Sequence, residues 1–129
     1  MAGARVNQVL LYIASAMTGL WGIAHLFATK GVVSSFGDIT IDNRRIITME
    51  WIVGGIALIS TASFIAVATA IQPESRVSSA IYVMAIGTLI SLATASLVTG
   101  FKVAFMPFKL CPFIFAFELR FFMTSLGWL

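Results

Sequence analysis

The stretch WIVGGIALISTASFIAVATAI, residues 51–71, contains no charged side chain and decides the fold class. A helix needs about 20 apolar residues to cross a hydrocarbon core about 30 Å thick, and this stretch has that length. Pro73 follows it and stops a helix, because proline has no backbone N–H. The pattern predicts a membrane-spanning helix over residues 43–71, with Asp42 as its N-cap.

Three further apolar segments lie on either side of this helix. They predict helices over residues 6–29, 77–99 and 110–129, and a polar loop over 30–45. Pro112 lies near the start of the last segment, where the first turn of a helix tolerates proline. The chain is therefore expected to form an all-α, four-helix transmembrane bundle.

The composition agrees with this fold class. The chain has 129 residues, of which 60% are hydrophobic and 10% charged, whereas soluble domains contain about 25% charged residues. The length predicts a single domain over residues 1–129. The net charge of +3 comes from basic residues scattered at segment ends, a pattern that disfavours nucleic-acid binding.

The basic residues also predict an orientation. Loops one and three are flanked by Lys30, Arg44, Arg45, Lys102 and Lys109, and the other side by Arg5 and Arg76. The positive-inside rule then places loops one and three in the cytoplasm and both termini outside.

Small residues recur at helical spacing and predict where the helices touch, because small side chains let backbones approach closely in a membrane. The predicted stripe of the first helix contains Ala14, Thr18, Gly22 and His25. That of the second contains Asn43, Glu50, Gly54, Ala57, Thr61 and Ala68. That of the third contains Ala80, Gly87, Ser91, Thr94 and Ala95.

Ionisable residues inside a membrane are costly and tend to be functional. His25 and Glu50 are each about five residues from the same predicted boundary, so the sequence predicts them as a catalytic pair that transfers protons. Candidate ligand-binding residues are Arg44, Arg45, Trp21, Trp51, Glu118 and Arg120. An alternative interpretation makes these charges structural: Glu50 pairs with an arginine or with His25, and the arginines contact lipid phosphates.

Other chemistries have little support. A bis-histidine haem needs two histidines and the chain has one, and no set of ligands for a zinc or di-iron site is present, so no metal is expected. Cys111 is the single cysteine and is predicted to be a small buried apolar side chain. The three tryptophans, Trp21, Trp51 and Trp128, are typical of interfacial belts.

Two stretches, DNRRIITMEWIVGG (42–55) and PFKLCPFIF (107–115), together with the four-helix layout, resemble small bacterial membrane proteins of the DoxX-like kind. That resemblance implies a location in the bacterial inner membrane and an accessory or quinone-linked role. The chain has no redox cysteine pair, which argues against electron transfer by the chain itself.

Three functions remain open at this stage. The favoured one is an accessory subunit, or a protein that binds membrane lipids or another lipophilic ligand, with other membrane chains or further copies of itself as partners. The alternative is a small enzyme that acts on a lipid or quinone-like substrate through His25 and Glu50. The third is proton or ion transport, which intramembrane carboxylates also permit.

Overall fold

The computed structural model describes residues 6–100, 102–104 and 106–129. Arg5, which entered the prediction of orientation, lies outside these ranges. The described chain is helical: α1 is Gln8–Ser35, α2 is Ile41–Ile71, α3 is Arg76–Ala95 and α4 is Met106–Ser125. A π-helical turn, Ser96–Gly100, continues α3.

The first predicted loop was too long. The chain leaves helical structure only between Ser35 and Ile41, because polar and charged side chains can extend a helix beyond the apolar core. Gly37 takes the positive φ of 69° that this short turn requires. Thr40 is the N-cap of α2, since its side chain accepts a hydrogen bond from the Asn43 amide, and the prediction of Asp42 was wrong.

The boundaries of α4 also differ from those predicted. The helix begins at Met106 and ends at Ser125, so Pro112 lies inside it instead of in its first turn. The bounds of α3 agree within one residue at its start, where Ser75 caps the helix and accepts a hydrogen bond from the Ser78 amide.

The helices follow one another around a ring, so each packs against its neighbours in sequence and α4 returns to α1. α1 packs most extensively against α2, and α2 packs least against α3. The Asn7 amide donates to the Ser125 carbonyl at 2.9 Å, which joins the start of α1 to the end of α4. Between α2 and α3, Thr69 and the Tyr82 hydroxyl are 3.0 Å apart.

One of the three predicted stripes lies in the core. Ala14, Thr18 and Gly22 of α1 are buried. In α2 the buried face is displaced by one residue and contains Gly55, Leu58 and Ala62, apart from Ala68, which is buried as predicted. The α3 stripe was wrong: all its members are exposed, and the buried face contains Ser78, Tyr82, Ala85, Ile86 and Leu89.

The outer surface is apolar. Large hydrophobic side chains on it include Phe27, which is 85% exposed, as well as Phe64, Val77, Met84 and Phe113. Three described segments are long and apolar enough to cross a membrane: Gln8–Ser35, Ile41–Ile71 and Arg76–Gly100. The length of these segments and the apolar exterior are consistent with an integral membrane protein.

Candidate functional site

A cleft of about 470 Å³ lies between α2 and α3. Its volume is within the range of small-molecule sites. The hydrogen bonds between α2 and α3 lie near the turn at 72–75. On both helices the cleft lies farther from that turn. Its lining consists of His25, Trp51, Gly54, Ala57, Leu58, Thr61, Thr88, Leu92, Ala95, Ser96, Thr99, Gly100, Val103, Phe108, Cys111 and Phe115.

A second cavity, of about 440 Å³, extends the cleft toward the α2–α3 turn. Thr61 and Thr88 line both cavities, so the two form one groove. From Trp51 to Phe64 the groove follows about 20 Å of α2, at 1.5 Å per residue. A groove of this length and apolar lining matches a lipid-like chain better than a compact polar molecule.

His25 lies at the other end of this groove, within a group of aromatic rings. Its imidazole stacks on the Trp51 indole, with centroids 4.6 Å apart and ring planes at 21°. Trp21 meets the imidazole edge-on at 5.6 Å, and Phe108 lies 5.2 Å from Trp51. Such ring contacts add to the energy of burial and fix the orientation of each ring. We call His25, Trp21, Trp51 and Phe108 the aromatic cluster.

One hydrogen bond determines the tautomer of His25. Nδ1 lies 3.0 Å from the Trp21 carbonyl oxygen, and a carbonyl can only accept. The neutral imidazole therefore carries its proton on Nδ1 and donates it to Trp21. Nε2, across the ring, is left with a lone pair, and the hydrogen bond that the imidazole makes to the described residues is the one at Nδ1.

Glu118 is a second unusual group, in the core between α4 and α1. Its side chain is 0% exposed. The Thr18 hydroxyl reaches two acceptors, Glu118 Oε2 at 3.1 Å and the Ala14 carbonyl at 2.9 Å, so they share one proton. Oε1 of Glu118 has no hydrogen-bond partner in the described part of the chain. Glu118 does not line the cleft, although Phe115, almost one helical turn earlier, does.

The structure does not bring Glu50 to His25. Glu50 is exposed and has no hydrogen bond or ion pair within the described residues, whereas its neighbour Trp51 stacks on the imidazole. Adjacent residues of a helix are about 100° apart, so only one of the two can face α1. The predicted proton-transfer pair is therefore not assembled.

The predicted arginines are also outside the cleft. Arg45 is exposed and lies 3.9 Å from Asp42. Arg44 borders a groove between α1 and α2 that Lys30 also lines, and Arg120 borders another near the end of α4. Of the predicted ligand-binding residues, the structure unites Trp21 and Trp51 with His25, and Trp21 lies in the middle of α1 rather than near an end.

Sequence reasoning missed the part of the cleft that follows α3. Ser96, Thr99 and Gly100 line it from the π-helical turn, a feature often found at functional sites. No local pattern in SLVTG distinguishes it from an ordinary helix end. Cys111 is buried as predicted, and it also lines the cleft.

Comparison of the chain with protein-family models, with curated proteins and with solved structures finds no match. The arrangement itself therefore has to indicate the chemistry. In the described residues no group of three histidine, cysteine or carboxylate side chains converges as metal ligands do.

Proposed function

We propose that this chain is a membrane protein that binds a lipophilic ligand with a flat ring head, of which a quinone is one example. The observation that carries the proposal is the groove between α2 and α3, apolar along its length and closed at one end by the His25–Trp51 stack. A ring head would lie against the aromatic cluster and an alkyl tail along the groove. Such a chain would hold the ligand for a larger membrane complex as an accessory subunit.

No contact favours the alternative of an enzyme that uses His25 and Glu50, because Glu50 is exposed and apart from the cleft.

A leucine at Gly54 is expected to block the cleft. Gly54 lines it and has open space where a side chain would begin, so Gly54→Leu places its side chain in the ligand's volume and leaves the helix contacts intact. We expect at least about a tenfold loss of affinity for a decyl-substituted benzoquinone and its hydroquinone, which corresponds to about 1.4 kcal/mol. Isothermal titration calorimetry in detergent micelles measures it.

Gly87→Leu is the matched control. Gly87 also has open space around it but faces outward from α3, away from the cleft. It should leave the affinity unchanged. Equal affinities of Gly54→Leu and the unaltered protein, or no binding of either probe to the unaltered protein, would contradict the proposal.

We further propose that α4 crosses the membrane as the fourth helix. The α1–α2 and α3–α4 connections, which are rich in lysine and arginine, would then face the cytoplasm. Its 20 residues span about 30 Å, and it packs against both α1 and α3. The chain then crosses the bilayer an even number of times.

A labelling experiment tests this orientation. In a Cys111→Ala background, Asp38→Cys lies in the α1–α2 loop and Glu74→Cys in the α2–α3 turn, and both positions are exposed. A membrane-impermeant maleimide should label Glu74→Cys in intact spheroplasts and Asp38→Cys only after lysis. The reverse pattern would invert the orientation.

A further inference from the structure

The polar side chains at the end of the cleft that the aromatic cluster closes, its head end, differ in whether they have a proton available to donate to a ligand. His25, Ser96 and Thr99 line this end, and Thr61 and Thr88 line the groove beyond it. A ligand can be recognised only by the donors and acceptors that the protein itself does not use.

His25 offers an acceptor. Its Nδ1 proton is used by the Trp21 carbonyl at 3.0 Å. Nδ1 faces the backbone of α1, so Nε2 lies on the side of the ring away from α1. Stacking on Trp51 keeps the ring in this orientation, and Nε2 presents a lone pair.

The threonines of the lining also offer acceptors. The Thr61 hydroxyl donates to the Ala57 carbonyl at 2.9 Å and that of Thr88 to the Met84 carbonyl at 3.0 Å. Thr99 in the π-helical turn donates to the Ala95 carbonyl at 2.6 Å. Each hydroxyl proton is thus used within its own helix, and lone pairs remain for a ligand.

Few donors are left among the described residues of the lining. The indole N–H of Trp51 has no hydrogen-bond partner among the described residues, but its nitrogen is buried and is not open to the cleft. Ser96 has a hydroxyl that can either donate or accept. A head group with acceptors alone, such as a quinone carbonyl, would meet mostly lone pairs, whereas a hydroxyl would find Nε2 of His25.

We infer that the cleft selects amphiphiles whose ring head carries a hydroxyl donor, alkylated phenols or hydroquinones, and that this hydroxyl donates to His25 Nε2. This inference rests on the proposed function, because it assumes that the groove holds the ligand. It adds the class of ligand: the reduced hydroquinone fits the cleft better than the oxidised quinone does.

The experiment compares three probes with the same decyl chain: the hydroquinone under anaerobic, reducing conditions, the quinone, and the hydroquinone dimethyl ether, which has no donor. The hydroquinone should bind the unaltered protein about five- to tenfold more tightly than the other two, the effect of one net hydrogen bond. His25→Phe retains a ring that can stack on Trp51 but lacks Nε2. It should bring the three affinities to within about twofold of one another, because the hydroquinone loses its acceptor.

The outcomes separate the inference from the proposed function. If all three probes bind the unaltered protein equally and Gly54→Leu weakens all three, the cleft is a ligand site and the inference is overturned. A preference for hydroquinone that persists in His25→Phe also overturns it, because the acceptor would then be another group. Failure of every probe to bind the unaltered protein overturns the proposed function itself.

Discussion

A single methyl group at position 22 should destabilise the bundle by about 2–3 kcal/mol, the upper range for overpacking a core. A Cβ built on Gly22 would lie 2.8 Å from the Gly55 carbonyl oxygen and 3.0 Å from the Ile59 amide nitrogen. Both are backbone atoms of α2, so Gly22→Ala can be accommodated only if the two helices separate. α1 and α2 form the most extensive helix pair, so their separation removes more packing than that of any other pair.

The measurement is unfolding in mixed detergent micelles by increasing dodecyl sulfate, followed by circular dichroism. Gly54→Ala is the matched control: it makes the same change in α2 at a glycine whose Cβ position is open. Since alanine favours helix over glycine, this control should be neutral or stabilised by up to about 1 kcal/mol. If Gly22→Ala unfolds at the same point as Gly54→Ala, the two backbones are not in close contact.

Replacing the Thr18 hydroxyl by a methyl group should cost about 1–3 kcal/mol, because Thr18→Val leaves the buried carboxyl of Glu118 without a hydrogen bond. Oε1 of Glu118 already has no hydrogen-bond partner in the described residues, and Oε2 accepts its hydrogen bond from the Thr18 hydroxyl. Valine has nearly the shape of threonine, so the loss reports the polar contact rather than a cavity. The same unfolding titration measures it.

A double-mutant cycle completes the test. Glu118→Leu removes the carboxyl, and the Thr18 hydroxyl then still donates to the Ala14 carbonyl, so Thr18→Val should cost much less in that background. Thr94→Val, at an exposed threonine that donates only to its own helix, should stay within about 0.5 kcal/mol. Equal costs of Thr18→Val with and without Glu118 would show that the two side chains are not coupled.

The candidate site was predictable in part. His25 and Trp51 stand out in the sequence because each is a rare residue type within an apolar segment. The stacking of His25 on Trp51 could not be predicted, since Glu50, next to Trp51 in the sequence, was the chemically more obvious partner for His25. Glu50 and Trp51 point about 100° apart around α2, so only one of them can face His25. The distance of a residue from the end of its helix, on which the prediction rested, does not give that angle.

Residues 51–71 and the other three apolar segments are enough to determine that the chain is helical and apolar. The length of a segment and its small number of charged side chains are properties of the sequence alone. The tertiary structure decided which faces of α2 and α3 turn inward, that Thr18 meets Glu118 across 100 positions of chain, and that a groove remains between α2 and α3. The physical reason is that many of the outward-facing side chains are apolar here, as the core-facing ones are. The contrast that orients a helix in water is therefore absent, and close packing of particular side chains orients it instead.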